Sequence, residues 1–167
     1  MLCLRPHLHR LLYRLIEQSM AVRRRKTKEI RIGGVVIGGE QPVAVQSMIT
    51  SQTRDTAACV AEIKALADAG AEIVRLTVPS LPEARAVELI RAALDRDGIA
   101  IPLVADVHHN GSDIAVAVAP YVDKIRVNPG LFVFKKSSAG TQYTAQDQAE
   151  ALTQLEKQFV PVLDACK

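Results

Sequence analysis

An α/β fold, the N-terminal half of a (β/α)8 TIM barrel with a preceding β-hairpin, is predicted by three features of this sequence. Short β-branched runs alternate four times with helical stretches. The runs are largely apolar, as strands of a parallel sheet covered by helices must be. Each run also carries polar or ionisable residues near its C-terminal end, where a barrel assembles its active site from several strands at once.

The elements follow in order. EIRIGG and VVIGGEQP alternate apolar residues around Gly33 and Gly34, predicting a β-hairpin over 29–38. The strand runs are VAVQSM (43–48), EIVRLTV (72–78), PLVADVH (102–108) and KIRVNP (124–129). Asp55 caps a first helix with apolar face Val60, Ile63, Leu66 and Ala67, closed by Gly70. Ser80 and Glu83 have the spacing of a capping box ahead of Val87, Ile90 and Leu94. A short third helix spans about 111–119, with Pro120 helping to end it. The fourth starts at Thr144 and lines up Leu152, Leu155, Phe159, Val162 and Cys166, with Pro161 expected to kink it or end it early. An open doubly wound sheet would fit the same spacing. The polar strand ends favour the barrel, and the lack of a GxGxxG or Walker loop after the first strand weakens a nucleotide-binding reading.

A chain of 167 residues with 49% hydrophobic content supports one domain with a real core. Its formal charge of +3 is unevenly placed: residues 1–31 carry nine Lys/Arg against two Asp/Glu, and the remainder is net acidic. A basic tail on a mildly acidic body gives little support to nucleic-acid binding. Residues 1–28 are read as a basic, disordered extension, with Met20 as a natural start, and residues 29–167 as the partial barrel. Cys3, Cys59 and Cys166 form no disulfide framework or metal-ligand set, which fits a reducing cytoplasm. No apolar stretch is long enough to span a membrane.

Arg75 and Arg126 lie inside otherwise apolar strands, where an unpaired guanidinium is costly, so something anionic must answer them. An internal pair with Asp106 would do so; a bound phosphate or carboxylate would suit the planar fork. Asp106 and His108 share one face of their strand and suit metal binding, ligand contact or proton transfer, or else a hydrogen-bonded core pair. Asn128 follows Arg126 by the same period of two, and is a candidate ligand contact or a turn residue. His109 faces away, Lys135 and Lys136 lie on a polar loop, and Gln46 and Ser47 close the first strand.

Taken together, VAVQSM, GAEIVRLTVP, PLVADVHH and KIRVNPG resemble, in order and spacing, the N-terminal part of the 4-hydroxy-3-methylbut-2-enyl diphosphate synthases. The continuation YTAQDQAEALTQLEKQFVPVLDACK is similar to the cyanobacterial and plastid branch. The resemblance implies reductive opening of 2-C-methyl-D-erythritol 2,4-cyclodiphosphate in the non-mevalonate isoprenoid pathway. It also implies electrons from ferredoxin or flavodoxin, and a homodimer of the full-length enzyme. Arg75, Arg126 and Asn128 would hold the diphosphate; Asp106 and His108 would contact the methylerythritol portion or support proton delivery. The family's [4Fe-4S] cluster sits in a C-terminal domain on three Cys and a Glu, ligands that this sequence lacks. The expectation is therefore an N-terminal fragment, incompetent alone. Two other readings remain open, a pterin-binding transferase barrel and a non-enzymatic half barrel that pairs through its strand edges.

Overall fold

The computed structural model describes residues 25–108, 111–132 and 144–167. The N-terminal extension up to residue 24, His109, and the stretch with Lys135 and Lys136 lie outside the described residues. The hairpin forms as expected, β1 (Ile30–Ile32) pairing antiparallel with β2 (Val35–Ile37). Gly33 turns the chain at a φ of 54°, a left-handed value that favours glycine. A Cβ there would also meet Asp123 Oδ1 at 2.7 Å.

β3 (Gln46–Met48), β4 (Ile73–Thr77), β5 (Leu103–Val107) and β6 (Lys124–Val127) make one parallel sheet in sequence order. β3 is shorter than the run VAVQSM because Val43 and Val45 lie exposed ahead of the ladder, the Val45 N–H going to the Glu72 carboxylate at 2.9 Å. β5 is buried along its whole length, as a central strand should be.

Helices alternate with the strands. In α1 (Thr56–Asp68), Asp55 accepts from the Ala58 N–H at 3.0 Å, and Gly70 closes the far end at φ 99°. α2 (Leu81–Arg96) begins at Ser80, but the expected capping box is not made. The Ser80 hydroxyl donates to the Glu83 carboxylate instead of accepting a helix N–H, because Glu83 is drawn to Arg54. α3 (Ser112–Val118) runs into a 3-10 turn, Ala119–Tyr121, that contains Pro120. α4 (Ala145–Ala165) starts on a full capping box between Thr144 and Asp147.

α4 continues through Pro161 to Ala165, so the early end, one of the two outcomes expected there, does not occur. Proline removes one backbone N–H, and packing of the adjacent, buried Val162 into the core holds the last turn in place. Only the middle of the expected stripe packs inward. Leu155, Phe159 and Val162 meet the core, with Phe159 edge-on to Phe132 at 5.9 Å, while Leu152 and Cys166 are exposed.

The two faces of the sheet have different partners. One face, with Val74, Leu76, Leu103, Ala105 and Val107, packs on Ile63, Val87, Ile90 and Val118 from the helices. On the other face, Ile73 and Val104 are covered at the N-terminal end by Ile32, with Val35 and Ile37 beside it. The hairpin thus closes the bottom of the concave face and leaves the C-terminal end of the strands as its open end. Ile32 is 2% exposed and Ile30 is 53% exposed. Ile32→Ala should therefore lower the unfolding free energy by about 2–4 kcal/mol, whereas Ile30→Ala should change it by no more than about 0.5 kcal/mol. Urea denaturation of the two variants checks this.

Candidate anion-binding site

Strand pairing sets the level of each polar side chain. Thr77, Asp106 and Arg126 are register partners across β4, β5 and β6, and Arg75 is two residues below Thr77 on the same face. One carboxylate joins this group. Asp106 Oδ2 pairs with Arg75 Nη2, and Oδ1 accepts from Arg126 Nη1 at 3.0 Å. Arg126 Nη1 also lies 2.7 Å from His108 Nδ1. A guanidinium only donates, so that ring nitrogen accepts and the imidazole proton is left on Nε2.

Asp106 is 5% exposed. Burial is the largest single influence on its carboxyl and raises its pKa. The hydrogen bond and charge of Arg75, with those of Arg126, together outweigh it and hold the group below the usual carboxylate range. Two guanidinium groups against one carboxylate leave a surplus positive charge on the concave face. Arg75 Nε, moreover, is a buried donor with no hydrogen-bond partner among the described residues. The internal pair and the anion site are thus not exclusive: the pair forms, and cationic capacity is left over.

The other sequence candidates divide. Asn128 is exposed and turns its Oδ1 to its own loop, accepting from the Gly130 N–H at 3.2 Å. Gln46 shares the concave face with Arg75 through the β3–β4 register, and Ser47 falls on the helix side. Sequence reasoning missed the β3–α1 loop, whose residues Thr50–Arg54 wall a cleft of about 350 Å3 together with Thr77 and Pro79. Its signal was the hydroxyl-rich run TSQTRDT placed directly between a strand and a capped helix.

A parallel sheet in sequence order with helices on one face is the architecture of a partial α/β barrel, and here an arginine-rich cluster lies toward its strand ends. Within that class, residues 27–167 match the family described as the GcpE TIM-barrel domain. The chain belongs to that family. It is 51% identical over 141 residues to the 4-hydroxy-3-methylbut-2-en-1-yl diphosphate synthase (ferredoxin) of Gloeobacter violaceus, covering 84% of this chain and 35% of the relative. The synthases of the same name from Thermosynechococcus vestitus and Synechococcus sp. CC9311 are 50% and 48% identical over 144 and 147 residues. Those matches cover 86% and 87% of this chain, and 36% and 37% of the respective relatives. The chain thus spans about a third of the length of the curated relatives it matches.

Among the described residues, no set fits an iron-sulfur cluster. Cys59 is buried in α1 with its thiol on the Gln52 carbonyl, and burial raises its pKa, while Cys166 is exposed at the end of α4. No group of three or more His, Cys, Asp or Glu suited to a metal is found among the described residues. Nor is any helix among them long and apolar enough to cross a membrane.

Asp106 carries a sharp stability test. Its depressed carboxyl contributes stability that is fully present above the unfolded value, near 4, and is lost as pH falls through the lower folded value. Asp106→Ala should cost about 1–3 kcal/mol at pH 7, the figure discounted because both arginines are partly exposed. The penalty should shrink as pH falls below about 4. Denaturation curves across pH 7 to 3 measure both effects.

Proposed function

We propose that this chain provides the substrate-holding part of a 4-hydroxy-3-methylbut-2-en-1-yl diphosphate synthase. Its cluster binds 2-C-methyl-D-erythritol 2,4-cyclodiphosphate for reductive ring opening in non-mevalonate isoprenoid synthesis. The observation that carries this reading is the unequal triad of Arg75, Asp106 and Arg126, which leaves cationic and donor capacity at the strand ends. The names of the cyanobacterial relatives support the choice of reaction.

Arg75 and Arg126 hold phosphoryl oxygens, and Asp106 keeps both guanidinium groups oriented toward the open end. Asn128 contributes its amide N–H groups at the rim, since its carbonyl oxygen is engaged by Gly130. His108, whose Nδ1 accepts from Arg126, stands beside the cluster and contacts the methylerythritol portion of the ligand. The two electrons come from ferredoxin or flavodoxin and are not carried by these residues. The work of this chain is binding and orientation. Its free cysteines suit a reducing cytoplasm.

The experiment is titration of the folded chain with the cyclodiphosphate by calorimetry. Binding should be measurable, and Arg75→Ala or Arg126→Ala should weaken it by about tenfold or more, roughly 1.4 kcal/mol. A wild-type chain with native circular dichroism that fails to bind, or arginine variants that bind as well as it does, would overturn the proposal.

A further inference from the structure

Glu62 sits in the second turn of α1 and reaches back over the loop that leads into the helix. Its Oε1 accepts from the Thr50 N–H and the Thr50 hydroxyl, both at 2.9 Å. Oε2 accepts from the Ser51 N–H at 2.9 Å and the Ser51 hydroxyl at 2.6 Å. Four donors match the four lone-pair sites of a carboxylate. They pull its carboxyl down to about 2, the Ser51 hydroxyl most, then the N–H groups of Thr50 and Ser51.

The clamped loop is tied to the strand that bears Arg75. The Ile49 N–H donates to the Arg75 carbonyl at 3.0 Å, and the Thr53 hydroxyl donates to the Thr77 carbonyl at 2.6 Å. Thr77 belongs to both parts of the site, lining the cleft and pairing in register with Asp106. Along the strand it is only about 7 Å from Arg75.

Cleft and cluster differ in charge. In the cleft Arg54 is matched by Glu83, and the remaining walls carry uncharged hydroxyl and amide side chains beside Ile49 and Pro79. In the cluster two arginines share one carboxylate. A ligand with an anionic end and an uncharged, hydroxyl-bearing end is complementary to the pair of surfaces.

We propose that Glu62 is a positioning residue of this site: by clamping Thr50 and Ser51 it fixes the wall against which the hydroxyl-bearing end of an anionic ligand lies. The inference rests on the anion-site reading of Arg75 and Arg126. It adds that the site extends over Thr77 into the cleft, and that its shape depends on a carboxylate that never touches the ligand.

Two probes separate the parts of the claim in NMR titrations of the full 167-residue chain. Inorganic phosphate reports on the arginines alone, and glycerol 3-phosphate reports on arginines and wall together. The wild type should bind glycerol 3-phosphate about three- to tenfold more tightly than phosphate, with amide shifts at Thr50–Arg54 that phosphate does not produce. Glu62→Ala should abolish that preference while leaving phosphate affinity unchanged, and Glu62→Gln, which keeps an acceptor oxygen, should restore part of it. Equal affinities in the wild type, an unaltered preference in Glu62→Ala, or equal weakening of both probes would each overturn the inference, the last by marking Glu62 as merely structural. Should phosphate fail to bind while glycerol 3-phosphate still shifts Thr50–Arg54, the arginine reading falls and the wall assignment stands. Binding of neither probe overturns both.

Discussion

The arrangement of this protein's concave face depends on one carboxylate shared by two guanidinium groups on neighbouring strands. Arg75 and Arg126 enter the sheet from either side of β5, and Asp106 stands between them with one oxygen for each. Without it, two like charges would face each other on a surface that also carries Ile73 and Val104. With it, the arginines are fixed in direction, yet their charge is only half neutralised. This imbalance separates the cluster from an ordinary structural ion pair. A matched pair would satisfy the fold, whereas an unmatched triad stays receptive to an anion.

The concave face is accordingly divided into two levels. At the N-terminal end the hairpin supplies Ile32 to cover Ile73 and Val104, so that level is part of the hydrophobic interior. At the C-terminal end the same strands, two residues further on, present Arg75 and Asp106, with Arg126 of β6 level with Asp106. Side chains that share a face are two residues apart, so the change from core to site occurs within a single step of the pleat. The hairpin also gives direction to the site, since it covers the N-terminal end of this face and leaves the strand ends that bear the arginines uncovered by it.

Much of this was legible in the sequence, and the residues show why. Period-two placement of Arg75 with Thr77, Asp106 with His108, and Arg126 with Asn128 follows from strand geometry alone, and the strands formed where the β-branched runs predicted. Gly33 and Gly70 stand where turns need a positive φ. What local pattern could not supply was competition between partners. Ser80 and Glu83 have capping-box spacing, but Arg54, distant in sequence, claims Glu83 and redirects the serine hydroxyl. Pro161 has a helix-breaking character that local rules weigh heavily, and tertiary burial of Val162 offsets it. Asn128 has the right period for the cluster, yet its carbonyl oxygen serves the turn that follows.

The β3–α1 loop extends the same lesson to function. Local sequence pattern singles out none of Thr50, Ser51 and Glu62. Folding brings them into a single arrangement in which one carboxylate organises two backbone and two hydroxyl donors. A loop held in this way gives up little additional conformational freedom when a ligand arrives, because the ordering cost was met on folding. The arginine cluster follows the same logic, with Asp106 setting the side chains before any anion is present. In both places a carboxylate that stays in the background determines where the ligand-facing groups point. On the proposed reading, the selectivity of the site rests as much on Asp106 and Glu62 as on the cationic and hydroxyl groups they hold in place.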